Sequence, residues 1–388
     1  MRHSVAVLLV LSAGVAGAQH FDSITGEGWA PGAGSSVCAA PPCYFAIKVP
    51  REGNYRVTVT LGDREAASVT TVKAELRRLM IPKVATKPGE FVTRTFLVNT
   101  RTPVFESGEV RLKDREKTLE AAAWDDAIEL EFTNAHPAVA SLTVEPADVP
   151  VIYIAGDSTS TDQPREPYNS WGQMITAFFQ PEIAVANHGE SGESLRGFVG
   201  ERRLAKLISR IRPGDWLLIQ MGHNDQKERG EGVGAFTTYK ASLKEFIRQA
   251  REHGASPVLI TPVNRRTFDA EGKITNSLGD YPEAVRKAGR EENVPVIDLN
   301  SMSKTFYEAL GPIEAVKAFA DNDATHHNNY GSYELARCVV QAIRAANLPL
   351  AKYLRDDVSA FDPAHPDPMS SFDVPPDPRG ATIRPYGQ

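Results

Sequence analysis

Val151-Ile152-Tyr153-Ile154-Ala155-Gly156-Asp157-Ser158-Thr159 is the stretch that decides the fold. Five residues without a polar face to offer water, closed by a glycine, read as a strand buried on both sides. Similar runs recur at Ile183 to Ala186, Trp216 to Met221, Val258 to Thr261 and Val294 to Leu299, which makes five strands. Between them Leu204, Leu207, Ile208 and Ile211 share one helical face, as do Phe236, Tyr239, Leu243, Phe246, Ile247 and Ala250. Strand alternating with helix predicts an α/β fold, a doubly wound, flavodoxin-like parallel five-stranded sheet, over residues 148–350.

Upstream of Pro150 the pattern changes to period two. Tyr55, Val57, Val59 and Leu61 are set against Arg56, Thr58 and Thr60, and Ile128, Leu130 and Phe132 against Glu129, Glu131 and Thr133. Such strands are half-buried and antiparallel, so residues 19–147 read as a β-sandwich or jelly-roll domain. Trp124, beside Asp125 and Asp126, reads either as a stacking platform for sugar or as a docking residue, and docking is the simpler reading. Downstream, residues 351–388 carry Pro363, Pro366, Pro368, Pro375, Pro376 and Pro378 and predict an extended, surface-wrapped tail.

The first residues predict a cleavable secretory signal over 1–18: a basic Met1-Arg2-His3, an apolar run from Val5 to Leu11, and the small-residue site Ala16-Gly17-Ala18 before Gln19. That run is well short of the roughly 20 residues a spanning helix needs, so the mature chain is expected to be secreted or periplasmic and free of the membrane. In an oxidising compartment Cys38 and Cys43 are close enough to bridge a small loop, a pair of small hydrophobes being the alternative, and Cys338 lies in a helical pattern as an inert thiol. The 388 residues, 41% hydrophobic and 24% charged with a net charge of −6, fit a soluble protein of two or three domains. They exclude a disordered chain, and a nucleic-acid partner is not expected without a concentrated positive field.

An open parallel sheet binds its ligand beyond the carboxyl ends of its strands. Beyond the first strand stands Gly156-Asp157-Ser158-Thr159, beyond the second Asn187-His188-Gly189-Glu190-Ser191-Gly192, and beyond the third Gly222-His223-Asn224-Asp225. Far downstream Asp321-Asn322-Asp323-Ala324-Thr325-His326-His327 precedes a helix with Leu335, Val339 and Ile343 on one face. A serine hydroxyl needs an imidazole to take its proton, and the imidazole needs a carboxylate to fix its tautomer. Ser158, His326 and Asp323 supply that catalytic set. Ser158 N–H, Gly192 N–H and the Asn224 amide supply an oxyanion hole, where each donor is worth on the order of 3 kcal/mol. His223 reads as a support behind Asn224, and His188 and His253 as core or surface histidines.

In this order the segments resemble the blocks of the SGNH (GDSL-like) hydrolases, in their rhamnogalacturonan acetylesterase branch. Ser158, Gly192, Asn224 and His326 fall on the four letters, and Asp323 on the Asp-x-x-His position. His327 stands where relatives often carry another residue type. Ser170-Trp171-Gly172-Gln173 and Thr261-Pro262-Val263-Asn264-Arg265-Arg266 are similar to segments that line the substrate cleft in that branch, which implies substrate contacts from Trp171, Arg265 and Arg266. An arginine there suits a uronate carboxylate, which guanidinium grips in two places.

The resemblance implies a secreted carbohydrate esterase that removes acetyl groups from a plant cell-wall polysaccharide, rhamnogalacturonan or pectin, through an acetyl-enzyme. No cofactor and no metal are implied. The alternatives are an acetylxylan or other SGNH carboxylesterase, a metal-dependent phosphoesterase, and a non-catalytic carbohydrate-binding protein. The metal reading rests on Gly222-His223-Asn224-Asp225 alone, and the Asp-x-His pair and late Gly-His-x-His that it needs are missing. The Gly-x-Ser-x-Gly elbow of α/β-hydrolases does not occur either.

Overall fold

Alternation along single strands builds the first unit. Tyr55, Val57, Val59 and Leu61 turn inward from one strand, and Phe45, Val72, Ile128, Leu130 and Phe132 meet them from the opposite sheet. The structure, a computed structural model, describes residues 7–9, 41–378, 380 and 385. One antiparallel sheet joins β1 (Val7–Leu9), β10 (Val139–Pro146), β3 (Gly53–Leu61) and β6 (Val92–Thr100) in that order. The other joins β2 (Cys43–Lys48), β9 (Ala127–Thr133), β4 (Ser68–Ala74) and β5 (Arg78–Thr86). β7 (Val104–Phe105) and β8 (Gly108–Glu109) form a small hairpin beside them. Residues 7–9 fall within the stretch read as a secretory signal and pair with β10; the rest of that stretch lies outside the described residues.

Residues 147–150 lead into the second unit, whose strands are β11 (Val151–Gly156), β12 (Ala184–Asn187), β13 (Trp216–Gln220), β14 (Ser256–Ile260) and β15 (Val296–Ile297). All pair in parallel, in the order β12-β11-β13-β14-β15, the doubly wound arrangement expected from the sequence. Ile152 and Ile154 of β11 face one layer, with α1 (Trp171–Met174), α6 (Leu299–Glu314) and α7 (Asn329–Ala345). Val151, Tyr153 and Ala155 face the other, with α2 (Leu195–Gly200), α3 (Arg203–Ile208), α4 (Lys240–Glu252) and α5 (Tyr281–Glu292). β15 is shorter than the apolar run around it because Pro295 has no N–H to offer a ladder and Asp298 already caps α6, accepting from Ser301 N at 3.3 Å.

Residues 361–375 cross back over both units. Phe361 and Val374 are buried, Asp367 pairs with Arg337 of α7 at 2.5 Å, and Lys73 of β4 donates to the Pro375 carbonyl at 3.0 Å. This explains why Glu131, on the nominally outward side of β9, is buried: it pairs with Lys73 at 2.9 Å beneath the tail. Cys43 is disulfide-bonded, Cys338 is a buried free thiol, and Cys38 lies outside the described residues.

Charged pairs run along the seam between the units. Arg78 meets Asp162 at 2.6 Å, Arg203 grips Glu116 at 2.9 and 2.5 Å, Lys206 holds Glu52, and Arg77 bonds Glu166. Trp124 sits in this seam, not on a sugar-binding face: it is buried, its Nε1 donates to Glu116 at 2.9 Å, and the Arg101 guanidinium covers its ring at 4.3 Å. Among the described residues no helix is long and apolar enough to cross a membrane.

Candidate active site

The order of the parallel strands reverses beside β11, and the segments that leave β11, β12 and β13 converge there. After Gly156 the chain makes a tight turn in which Ser160 N and Thr161 N both donate to the Asp157 carbonyl at 3.0 Å. A Cβ at 156 would stand 1.8 Å from Ser160 Oγ and 3.1 Å from the Gln220 carbonyl, so any side chain there would have to displace Ser160. The Asp157 carboxylate accepts from Thr159 N at 3.0 Å and Thr159 Oγ1 at 2.8 Å and faces His223 Nδ1 at 3.3 Å. Burial alone would raise the Asp157 carboxyl, but His223 and Thr159 outweigh it and hold it below its ordinary value.

That turn presents Ser158, whose Oγ lies 2.8 Å from His326 Nε2. His326 Nδ1 lies 3.0 Å from Asp323 Oδ2, while Asp323 Oδ1 accepts from Thr325 N at 2.7 Å and His326 N at 3.0 Å. The carboxylate thus fixes its own loop and the imidazole together. Burial acts to raise the Asp323 carboxyl, yet the His326 ring and the two N–H groups hold it well below the usual carboxylate range. The Tyr168 and His326 rings meet nearly at right angles, with centroids 5.9 Å apart.

The neighbouring His327 turns the other way. It packs on Phe319 and Tyr307, its Nε2 lies 2.6 Å from the Tyr307 hydroxyl, and burial pushes it down to about 3. His326 is the imidazole that meets the serine.

Gly192 takes a left-handed φ of +84° in the loop after β12. Neither its N–H nor that of Ser158 donates to another group among the described residues. Asn224 Nδ2 donates to the Glu193 carbonyl at 2.9 Å, which ties the loop after β13 to the loop after β12 and leaves the second amide hydrogen over. His223 pairs with Asp157 and not behind Asn224 as expected. His188 is buried in the seam beside Trp124 and Tyr153.

The expected substrate contacts separate. Trp171 is fully buried, its Nε1 donating to Gln220 Oε1 at 2.8 Å, so it has no face for a sugar. Arg266 braces the Asp323 loop, its backbone N donating to the Ala324 carbonyl at 2.7 Å and its guanidinium to the Asp323 carbonyl at 3.2 Å. Arg265 is half-buried and donates to the Ser277 carbonyl at 3.3 Å. Burial lowers it, partly offset by attraction to Asp157.

Several residues that sequence reasoning did not single out support the site. Gln163 Nε2 donates to the Ser158 carbonyl at 2.8 Å and to Ser191 Oγ at 3.3 Å. Arg77, with a left-handed φ of +63° in the β4–β5 turn, donates to the carbonyls of Gln163 and Tyr168 at 3.1 Å each. Behind the loop after β12, oxygens of Glu116, Glu120 and Glu190 lie within 4.8 Å of one another. Arg203 and Arg115 already engage Glu116 and Glu120, and burial pushes the Glu190 carboxyl far up, so this set suits shared protons and guanidinium better than a metal ion.

Residues 154–335 match the model of the GDSL-like lipase/acylhydrolase family. The chain is 40% identical over 218 residues to rhamnogalacturonan acetylesterase RhgT of Bacillus subtilis, covering 52% of this chain and 93% of that one. It is 27% identical over 238 residues to a rhamnogalacturonan acetylesterase of Emericella nidulans, covering 55% and 93%. The crystal structure of YxiM from Bacillus subtilis superposes with a TM-score of 0.50 at 26% identity, covering 79% of this chain and 81% of that one, and so spans more than the α/β unit.

Proposed function

The chain belongs to the GDSL-like lipase/acylhydrolase family, in its rhamnogalacturonan acetylesterase-like branch, and on that premise we propose a carbohydrate esterase that deacetylates rhamnogalacturonan by serine catalysis. Ser158 Oγ attacks the acetyl carbonyl as its proton passes to His326 Nε2, and Asp323 stabilises the imidazolium. The oxyanion is met by Ser158 N–H, Gly192 N–H and the spare hydrogen of Asn224. Collapse breaks the ester bond, and the proton on His326 leaves with the sugar hydroxyl. Water, deprotonated by the same imidazole, then releases acetate from Ser158. The chemistry calls on no cofactor.

The observation that carries this reading is the unbroken relay of 2.8 and 3.0 Å from Ser158 through His326 to Asp323. The polymer assignment is supported by the two rhamnogalacturonan acetylesterases that the chain resembles along nearly their whole length. The test is acetate release from acetylated rhamnogalacturonan, xylan and mannan, comparing the wild type with Ser158→Ala. Release confined to the wild type and fastest on rhamnogalacturonan is expected. A preference for xylan overturns the polymer, and activity in Ser158→Ala overturns the mechanism.

Arg265 is our candidate partner for a galacturonate carboxylate. Arg265→Ala should raise KM for the pectic polymer and leave 4-nitrophenyl acetate hydrolysis unchanged. Export before action on the polymer follows from the reading of residues 1–18, and the N-terminal sequence of the secreted protein tests it by starting, or failing to start, near Gln19.

A further inference from the structure

The loop bearing Gly192 leans on the β unit. Lys113, four residues past β8, reaches across the seam, where its Nζ donates to the Ser191 carbonyl at 2.8 Å and to the Glu193 carboxylate. The Ser191 carbonyl and the Gly192 N–H are the two ends of one peptide group. In a planar trans peptide they point in opposite directions, so fixing the oxygen aims the hydrogen. A cation on that oxygen also polarises the amide and strengthens its N–H as a donor. One residue on, the Glu193 backbone carbonyl is the group that accepts from Asn224 Nδ2.

Lys113 is itself anchored. Its backbone N donates to Glu116 Oε2 at 2.8 Å, and Arg203 of α3 holds that carboxylate from the other side. We propose that Lys113, from the β unit, is a positioning residue of the oxyanion hole: it sets the Ser191–Gly192 peptide plane and, through Glu193, the Asn224 amide. The proposal rests on the esterase reading above. The β unit thereby supplies part of the catalytic geometry, whatever it does toward the polymer.

The test uses the full chain and 4-nitrophenyl acetate, which is too small to report on polymer binding. Lys113→Met should lower kcat about tenfold or more, since a misaimed donor forfeits much of what a deleted one does, while KM stays within about twofold. Lys113→Arg should recover part of the loss. In Lys113→Met combined with Asn224→Ala the loss should fall short of the product of the single losses, because both act on one intermediate. A folded Lys113→Met with wild-type kcat, or a fully multiplicative double variant, overturns the proposal.

If Lys113→Met does not melt cooperatively, the isosteric Glu193→Gln takes its place. It should lower kcat severalfold at constant KM, and an unchanged kcat overturns the proposal. Ser158→Ala separates the two readings. Activity in that variant sinks the esterase mechanism itself, whereas an inactive Ser158→Ala beside a fully active Lys113→Met sinks only the role of Lys113.

Discussion

Arg77 and Tyr168 belong to different units, and the guanidinium of the first donates to the carbonyl of the second at 3.1 Å, behind the ring that meets His326. The same guanidinium bonds Glu166, whose carboxylate also accepts from Asn329 Nδ2 and Asp377 N at 3.0 Å. Arg77→Leu leaves that buried carboxylate without its counter-charge. Breaking such a pair from one side costs about 3–5 kcal/mol. Chemical denaturation should show a loss of this size, and a change under 1 kcal/mol would contradict the role of this pair.

Asp323→Asn should preserve the fold and lower kcat about 10⁴-fold, because an amide N–H facing Nδ1 favours the imidazole tautomer that cannot take the serine proton. Steady-state kinetics on 4-nitrophenyl acetate measure this. In the wild type, Asp323 stays ionised on acidification because its folded carboxyl lies so low. The acid limb of the rate profile should therefore not report protonation of Asp323, and it should keep its shape when other carboxylates are neutralised.

Asp225 offers a test of stability against pH. Burial raises its carboxyl to about 8 from 3.8, although Leu195 N donates to it at 2.9 Å. The folded state then holds a proton that the unfolded chain has lost, so this residue makes stability fall as pH rises from near 4 to near 8. Asp225→Asn should match the wild type in melting temperature near pH 4 and exceed it near pH 8. Equal melting temperatures across that window would contradict a buried, protonated carboxyl.

Trp171→Phe distinguishes a packed tryptophan from a substrate platform. It removes the 2.8 Å donor to Gln220 Oε1 and leaves that buried acceptor only the longer 3.3 Å contact from Thr159 Oγ1, at a cost of about 1–3 kcal/mol. The melting temperature should drop while KM for the polymer holds. A large rise in KM at constant stability would restore the tryptophan to the cleft.

These tests follow the division between what was legible in the sequence and what was not. The α/β sheet announces itself because buried parallel strands must be apolar on both faces, as Val151 to Ala155 are. Ser158, Gly192, Asn224 and His326 stand out in the sequence because strands that end at a cleft leave short, ordered polar segments. The burial of Trp171 was not legible, because an aromatic at a helix start looks alike whether it faces solvent or Gln220. Lys113, Arg77 and Gln163 left no local signal. The partners of Lys113 and Arg77 lie tens of residues away, and a lysine in a polar loop carries no mark of the carbonyl it will grip.

The matched charges that line the seam bear on any attempt to re-engineer the protein. Cutting the chain near Pro150 would strand Asp162, Glu166 and Glu193 without the cations they now pair with, and would take Glu116 from Arg203, leaving it Glu201 alone. The halves are therefore lock and key to each other, and a transplant of either would carry half a set of teeth into a host with nothing to mesh.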